Sequence, residues 1–317
     1  MSKTYGDLIE EAIRYLTPTA IERSVQIITD YVAGSGVLVV DYNNPAFPSI
    51  RPGTILACGL QLWYVQSITT PATGTLSVVG GFQGSTDANV THSASSPTAQ
   101  VYIHPRFSRF DVANAINQEL DALSAPTNGL GRIVGADVTY VPAFVGYALP
   151  PAFDNASSKI LEISYKTADA RRRFPLITRD RFRTIRNQSD PAFPSGAGVM
   201  VYPTDDGWTA QPGLPMRVQF LAPFAHLFAL TDNALSVAGA PITMQDILTL
   251  GAAIRLAPTR EVQRNSTSAQ PDPRKATEVQ AGAIANSVSG LLRLYTARIN
   301  QEQSRLRMQF PEAEGGW

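Results

Sequence analysis

The stretch "GGFQGSTDANVTHSAS", Gly80 to Ser95, sets glycine, serine, threonine and His92 close together, the raw materials of an active-site loop. Hydrolytic chemistry would also need a base beside the nucleophile and a third group to orient that base. No G-x-S-x-G elbow between a strand and a helix occurs in the chain. His104 precedes Pro105 at the end of a strand pattern, and His226 sits in the apolar run "FAHLFAL". The three histidines show no HxH, HExxH or HxxxH spacing, so no two imidazoles are set to share a metal. The single cysteine, Cys58, excludes an internal disulfide, and its surroundings "TILACGLQLWYV" describe a buried, inert thiol. Asp205 and Asp206 lie in "YPTDDGW", a turn signature. A glycosidase pair would have to be drawn from these two and Glu162, which no spacing brings together. "GAGVM" at Gly196 lacks the lysine and the following helix of a phosphate loop. These residues point to a chain that is not an enzyme and that uses no metal and no cofactor.

Arginine offers more. "RRRFPLITRDRFRTIR" carries Arg171, Arg172, Arg173, Arg179, Arg181, Arg183 and Arg186 against one acid, Asp180. On a strand, Arg179, Arg181 and Arg183 would share one face, a row able to meet phosphates or an acidic surface. A solvated outer face is the plainer reading of the same row. A second group, Arg293, Arg298, Arg305 and Arg307, closes a long helical pattern, where positive charge complements the helix dipole. The tail "MQFPEAEGGW" then places Phe310 and Trp317 on a short extension that cannot fold alone, which suggests docking onto a partner.

These groups need elements to position them. With 26 basic and 26 acidic residues in 317, the chain is not globally basic, which removes the simplest nucleic-acid-binding class. At 44% apolar and 16% charged it is globular and long enough for two or three cores. No run approaches the ~20 apolar residues of a membrane span. The amphipathic opening "MSKTYGDLIEEAIRYL" is no signal peptide, so a soluble protein outside any membrane is expected.

Three helix starts share the form [ST]-x-x-D: Thr4 with Asp7, Ser108 with Asp111, and Thr243 with Asp246. A fourth helix is expected from about Asp272 to Phe310, roughly ten turns and 55 Å long. "TPTAIERSVQIITDYV" reads as a continuation of the first helix or as a strand. Between the helices lie two strand-rich regions. The first runs through "GVLVVDY", "TILACGL", "QLWYVQSIT", "GTLSVVGGF" and "AQVYIH"; the second through "ADVTYV", "KILEISYK", "FRTIRN", "GVMVYP" and "MRVQFLAPF". The expected fold class is α+β: a helical bundle core (residues 1–35, 108–128 and 240–310) with a long C-terminal helix. A small β domain (36–107) and a larger β sandwich or jelly roll (129–239) interrupt it, and 311–317 form a docking tail.

At this point a resemblance enters. Gly81-Phe82-Gln83-Gly84-Ser85-Thr86, then His92, then Pro105-Arg106-Phe107, then Ala115-Ile116-Asn117-Gln118-Glu119-Leu120 resemble a recurring hairpin-to-helix pattern of tailed-bacteriophage structural proteins. Tyr295, Arg298, Glu302, Arg305, Leu306, Arg307, Phe310 and Pro311 are similar to that family's closing helix. The chain departs from the pattern at Gly80, where an arginine is usual, and at "SSPTA", where a glycine turn is usual; the larger β region is unmatched. The nearest likeness is to head-to-tail adaptors of short-tailed phages. It implies a homo-oligomeric, dodecameric ring in the neck of the virion, assembled in the host cytoplasm. Such a ring would bind the portal protein through Arg298, Arg305, Arg307, Phe310 and Trp317. It would meet a tail or nozzle protein, and tail fibres, through its β domains. Genomic DNA would pass non-specifically through its lumen, with Arg179, Arg181 and Arg183 facing that DNA or a ring interface. Two alternatives stay open: a tail, baseplate or fibre-anchoring component of the virion, and a β-sandwich cell-wall-degrading enzyme.

Overall fold

The computed structural model describes residues 2–16, 22–85, 92, 94, 100–141, 146–165, 176–202, 213–267 and 283–311. Helix α1 (Tyr5–Leu16) opens the chain, with Tyr5, Leu8, Ile9, Ala12 and Leu16 buried at helical spacing. Its start is the reciprocal cap expected from sequence: the Thr4 amide donates to Asp7 Oδ2 at 2.9 Å and the Asp7 amide to Thr4 Oγ1 at 3.2 Å.

A six-stranded antiparallel sheet follows, built from β1 (Ser24–Gln26), β2 (Val37–Val39), β3 (Ile55–Cys58), β4 (Gln61–Thr70), β5 (Thr75–Val79) and β6 (Gln100–Ile103). The strands lie side by side in the order β1-β6-β3-β4-β5-β2, and β4 is bulged twice against β5. Bulges bend a strand and raise its twist, which curls the sheet around its own core of Val25, Leu38, Leu56, Trp63, Leu76 and Val101. Gly74 turns the chain into β5 at φ 67, and a Cβ there would collide with the Val40 carbonyl oxygen. Because β1 pairs with β6, residues 24–26 belong to this sheet and not to the helical segment 1–35.

Helix α2 (Arg109–Ser124) is capped by Ser108, whose hydroxyl oxygen accepts from the Asp111 amide at 3.0 Å. Beyond it, β7 (Arg132–Thr139), β8 (Gly146–Ala148), β9 (Lys159–Tyr165), β10 (Leu176–Ile177), β11 (Phe182–Ile185), β12 (Gly198–Val201) and β13 (Pro215–Ala222) form two antiparallel sheets. Their orders are β10-β9-β13-β7 and β11-β12-β8. Both line one core that includes Tyr147, Phe153, Ile163, Val199, Val218 and Phe220. Among the described residues the sheets hold four and three strands, short of a jelly roll's eight.

Residues 223–244 then run irregularly, through a π-turn at Ala234–Ala238, into helix α3 (Gln245–Thr267); helix α4 (Ala283–Gln309) follows. Here the expected helical bundle core is overturned. Among the described residues the fold is mixed α/β, with a curled six-stranded antiparallel sheet and a C-terminal helix, and no helical bundle core. The cluster that the helices share is completed by Leu161 of β9, Leu221 of β13 and Phe224, Leu227, Ala234, Ala238 and Met244 of the irregular segment. A bundle needs each helix to bury a stripe along most of its length. Along its described side chains α4 buries only Ile299, Glu302 and Leu306, and Phe310 just beyond its end. Among the described residues no helix is long and apolar enough to cross a membrane.

Candidate functional site

The sequence marks the last helix as the place to look, and the structure shows how α4 is held. Glu119 sits inside the apolar stripe of α2, 1% exposed, and takes two donors from two other helices. Arg255 Nε of α3 donates to Glu119 Oε2 at 2.9 Å, and the Tyr295 hydroxyl of α4 donates to Oε1. Burial, with the Glu119 carboxylate beside it, pushes the Tyr295 hydroxyl above the ordinary tyrosine range. The carboxylate needs space, and Gly251 of α3 supplies it: a Cβ there would lie within 2.6 Å of Glu119 Cγ and Oε2.

One turn further, Arg298 clamps the start of α3. Its Nε and Nη2 reach Asp246 at 2.7 and 3.2 Å, and Nη2 also donates to the Thr243 carbonyl at 2.7 Å. Buried Glu302 accepts from Thr243 Oγ1 at 3.2 Å and from Arg305 Nε at 2.8 Å. Ile299, Leu306 and Phe310 pack between these polar contacts.

The predicted docking residues therefore divide. Arg298 and Arg305 are engaged within the chain, and Phe310 is 5% exposed in the core. Arg307 is exposed. Trp317 lies outside the described residues. The arginine row does not form as a strand face. Arg179–Arg181 is a 3-10 turn, and only Arg183 of the three stands on β11, exposed and opposite Met200. Local geometry explains the change, because a 3-10 turn repeats every three residues rather than every two. The side chain of Arg179 and the backbone of Arg171, Arg172 and Arg173 lie outside the described residues.

A cleft of about 400 Å³ opens where the end of α2, the turn before β9, the end of β13 and α4 meet. Gln303 crosses it, donating from Nε2 to the Asn128 carbonyl at 2.8 Å. Lys159, Arg186 and Arg307 line its walls.

The glycine-rich stretch resolves into structure of another kind. Gln83, at φ 55, forms part of a tight turn after β5, and the Ser85 hydroxyl is buried against the start of β4, accepting from the Leu62 amide at 3.0 Å. His92 closes the sheet: it bridges Tyr31, its Nε2 lies 2.7 Å from Gln61 Oε1, and its Nδ1 lies 3.4 Å from Cys58 Sγ. A cysteine beside a histidine is the outline of a thiol nucleophile, but burial pushes the Cys58 thiol up to about 11, away from the thiolate. Thiol-specific reagents should label the native chain far more slowly than the urea-unfolded one; equal rates would contradict this burial. The same shift fixes a pH dependence. The unfolded thiol ionises near 9.0 while the folded one holds its proton to about 11, so the folded state binds more protons between them. The resulting stability is complete below about pH 9 and is lost on rising to about pH 11, on the order of 3 kcal/mol in all.

Of the remaining candidates, His226 pairs with Asp121 at 2.8 Å and His104, at φ 45, ends β6. Glu162 is half-buried on β9, and desolvation raises its carboxyl above the usual range. Asp205 and Asp206 lie outside the described residues. What sequence reasoning missed is the Glu119–Arg255–Tyr295 junction with its partner Gly251. A signal was present: an acid at an apolar position, three residues after Ile116 and directly before Leu120. Comparison with protein-family models and with curated proteins finds no match to this chain.

Proposed function

We propose that the chain is a structural virion subunit, a head-to-tail adaptor of a tailed phage. Copies of it form a ring beneath the portal protein, α4 and the residues after it meet the portal, and the sheets meet the tail or nozzle. Packaged DNA passes through the lumen without sequence-specific contact.

One observation carries this reading. Among the described residues the inward stripe of α4 outruns the core it packs on. Tyr295, Ile299, Glu302 and Leu306 face the protein, yet Val288 and Leu291, which continue that stripe at helical spacing, are only half-buried and Leu292 is 48% exposed. Met308, near the other end, is 84% exposed. A helix held by part-buried ion pairs over its C-terminal half, with Leu292 and Met308 uncovered among the described residues, suits a segment that completes its burial on a second protein. The resemblance of the same helix to the closing helix of phage adaptors supplies the identity of that protein.

The test is a chain carrying Leu292→Glu and Met308→Glu. Both side chains are exposed, so its melting temperature should stay within a few degrees of the parent. Its binding to portal rings of the same virion should weaken by at least about tenfold. Unchanged binding would remove α4 from the interface.

A further inference from the structure

We infer that the cleft between α4 and the second β region is a binding site for a phosphate group carried on a ligand of nucleotide size. The volume, about 400 Å³, is that of a small-molecule pocket. Among the described residues its lining holds three cations, Lys159, Arg186 and Arg307, and no carboxylate. The concentration of charge is not a property of the whole surface, since acids and bases balance in this chain.

The cations are set differently, and the difference matters. Arg186 is fixed. Its Nη1 donates to the Asn155 carbonyl, its Nη2 to the Ser158 carbonyl at 2.7 Å, and its guanidinium lies 5.6 Å from the Phe153 ring centre. Neutral carbonyls hold that guanidinium in place, and the Asp154 carboxylate feels its charge with no hydrogen bond to it among those described. Asp154 is not among the described lining residues and accepts from the amide and hydroxyl of Ser157. Arg307, on α4, also lines the cleft, exposed and, among the described residues, without an ion pair. The result is one preorganised guanidinium and one unpaired among the described residues, in the same cleft. A carboxylate fills one arginine fork; a phosphate, with three acceptor oxygens and up to two charges, matches two arginines.

The phosphate could belong to a free nucleotide or to the end of a nucleic-acid strand, and the experiment separates them. Full-length chain is titrated calorimetrically with AMP, with a 5′-phosphorylated thymidine tetranucleotide and with tetraglutamate, alongside the Arg307→Gln variant. Binding of AMP and tetranucleotide alike, each weakened about tenfold or more by Arg307→Gln, is expected if the ligand is a free nucleotide. Tetranucleotide binding at least about tenfold tighter than AMP, with the same loss, assigns the site to a strand end. Three results would overturn the inference: no heat from either phosphate probe at millimolar concentration, binding indifferent to Arg307→Gln, or tetraglutamate binding as tightly as AMP. Arg307 is exposed, so the variant should keep its melting temperature, and none of these readings depends on the portal.

Discussion

Replacing Gly251 with alanine should destabilise the chain by about 2–4 kcal/mol, against the usual expectation for a glycine inside a helix. In an open helix the same change is worth about 1 kcal/mol of stabilisation, because alanine loses less backbone freedom. Here the new Cβ would meet Glu119 Cγ and Oε2 at 2.6 Å. The α2 backbone cannot yield, since Val112, Ile116 and Leu120 are fully buried on both sides of Glu119. The carboxylate must swing away, and with it go the bonds to Arg255 and Tyr295. Leaving a buried acid without partners costs about 3–5 kcal/mol, reduced because Arg255 is 38% exposed and regains water. A double-mutant cycle isolates the cause. In a Glu119→Ala background the clash is absent, and Gly251→Ala should become neutral or stabilising by up to about 1 kcal/mol. Urea denaturation of the four proteins measures it; a Gly251→Ala single variant as stable as the parent would mean Glu119 is not held as described.

Phe310→Ala should cost about 3 kcal/mol, the lower end of the range for emptying an aromatic site in a core. The residue follows α4, its amide donates to the Leu306 carbonyl at 2.8 Å, and its ring packs in the cluster with Ile299 and Leu306. This changes how the tail should be tested. Deleting residues 308–317 removes a core side chain and should lower the melting temperature, so any loss of partner binding would be ambiguous. A chain ending after Pro311 keeps Phe310 and tests residues 312–317, Trp317 among them, without emptying the core. A Phe310→Ala loss under about 0.5 kcal/mol would return Phe310 to the set of residues free to dock.

Local signals in the sequence were readable where the partner lay a few residues away. Thr4 with Asp7 and Ser108 with Asp111 cap helices as their spacing implies. Thr243 with Asp246 has the same spacing but a different fate: the Thr243 hydroxyl goes to Glu302 and Asp246 to Arg298, both on α4. The pattern marked the right place in the chain, while partners more than fifty positions away took over its side chains. The arginine row failed for a similar reason, since period two applies only if the backbone is extended at Arg179 and Arg181. The apolar stripe of α4 was legible from Tyr295 to Leu306, but periodicity records which residues share a face and not how far that face is covered. That is why a bundle was expected and a mixed α/β chain was found. The cleft was beyond sequence reasoning altogether, because Lys159, Arg186 and Arg307 come from three elements brought together by the fold.

The adaptor reading meets its most direct test in electron microscopy of purified portal rings of the same virion, imaged with and without the full-length chain. The account predicts a second ring of about twelve copies stacked coaxially on the portal, with α4 at the junction. Portal rings that remain bare at a large excess of folded chain would contradict it.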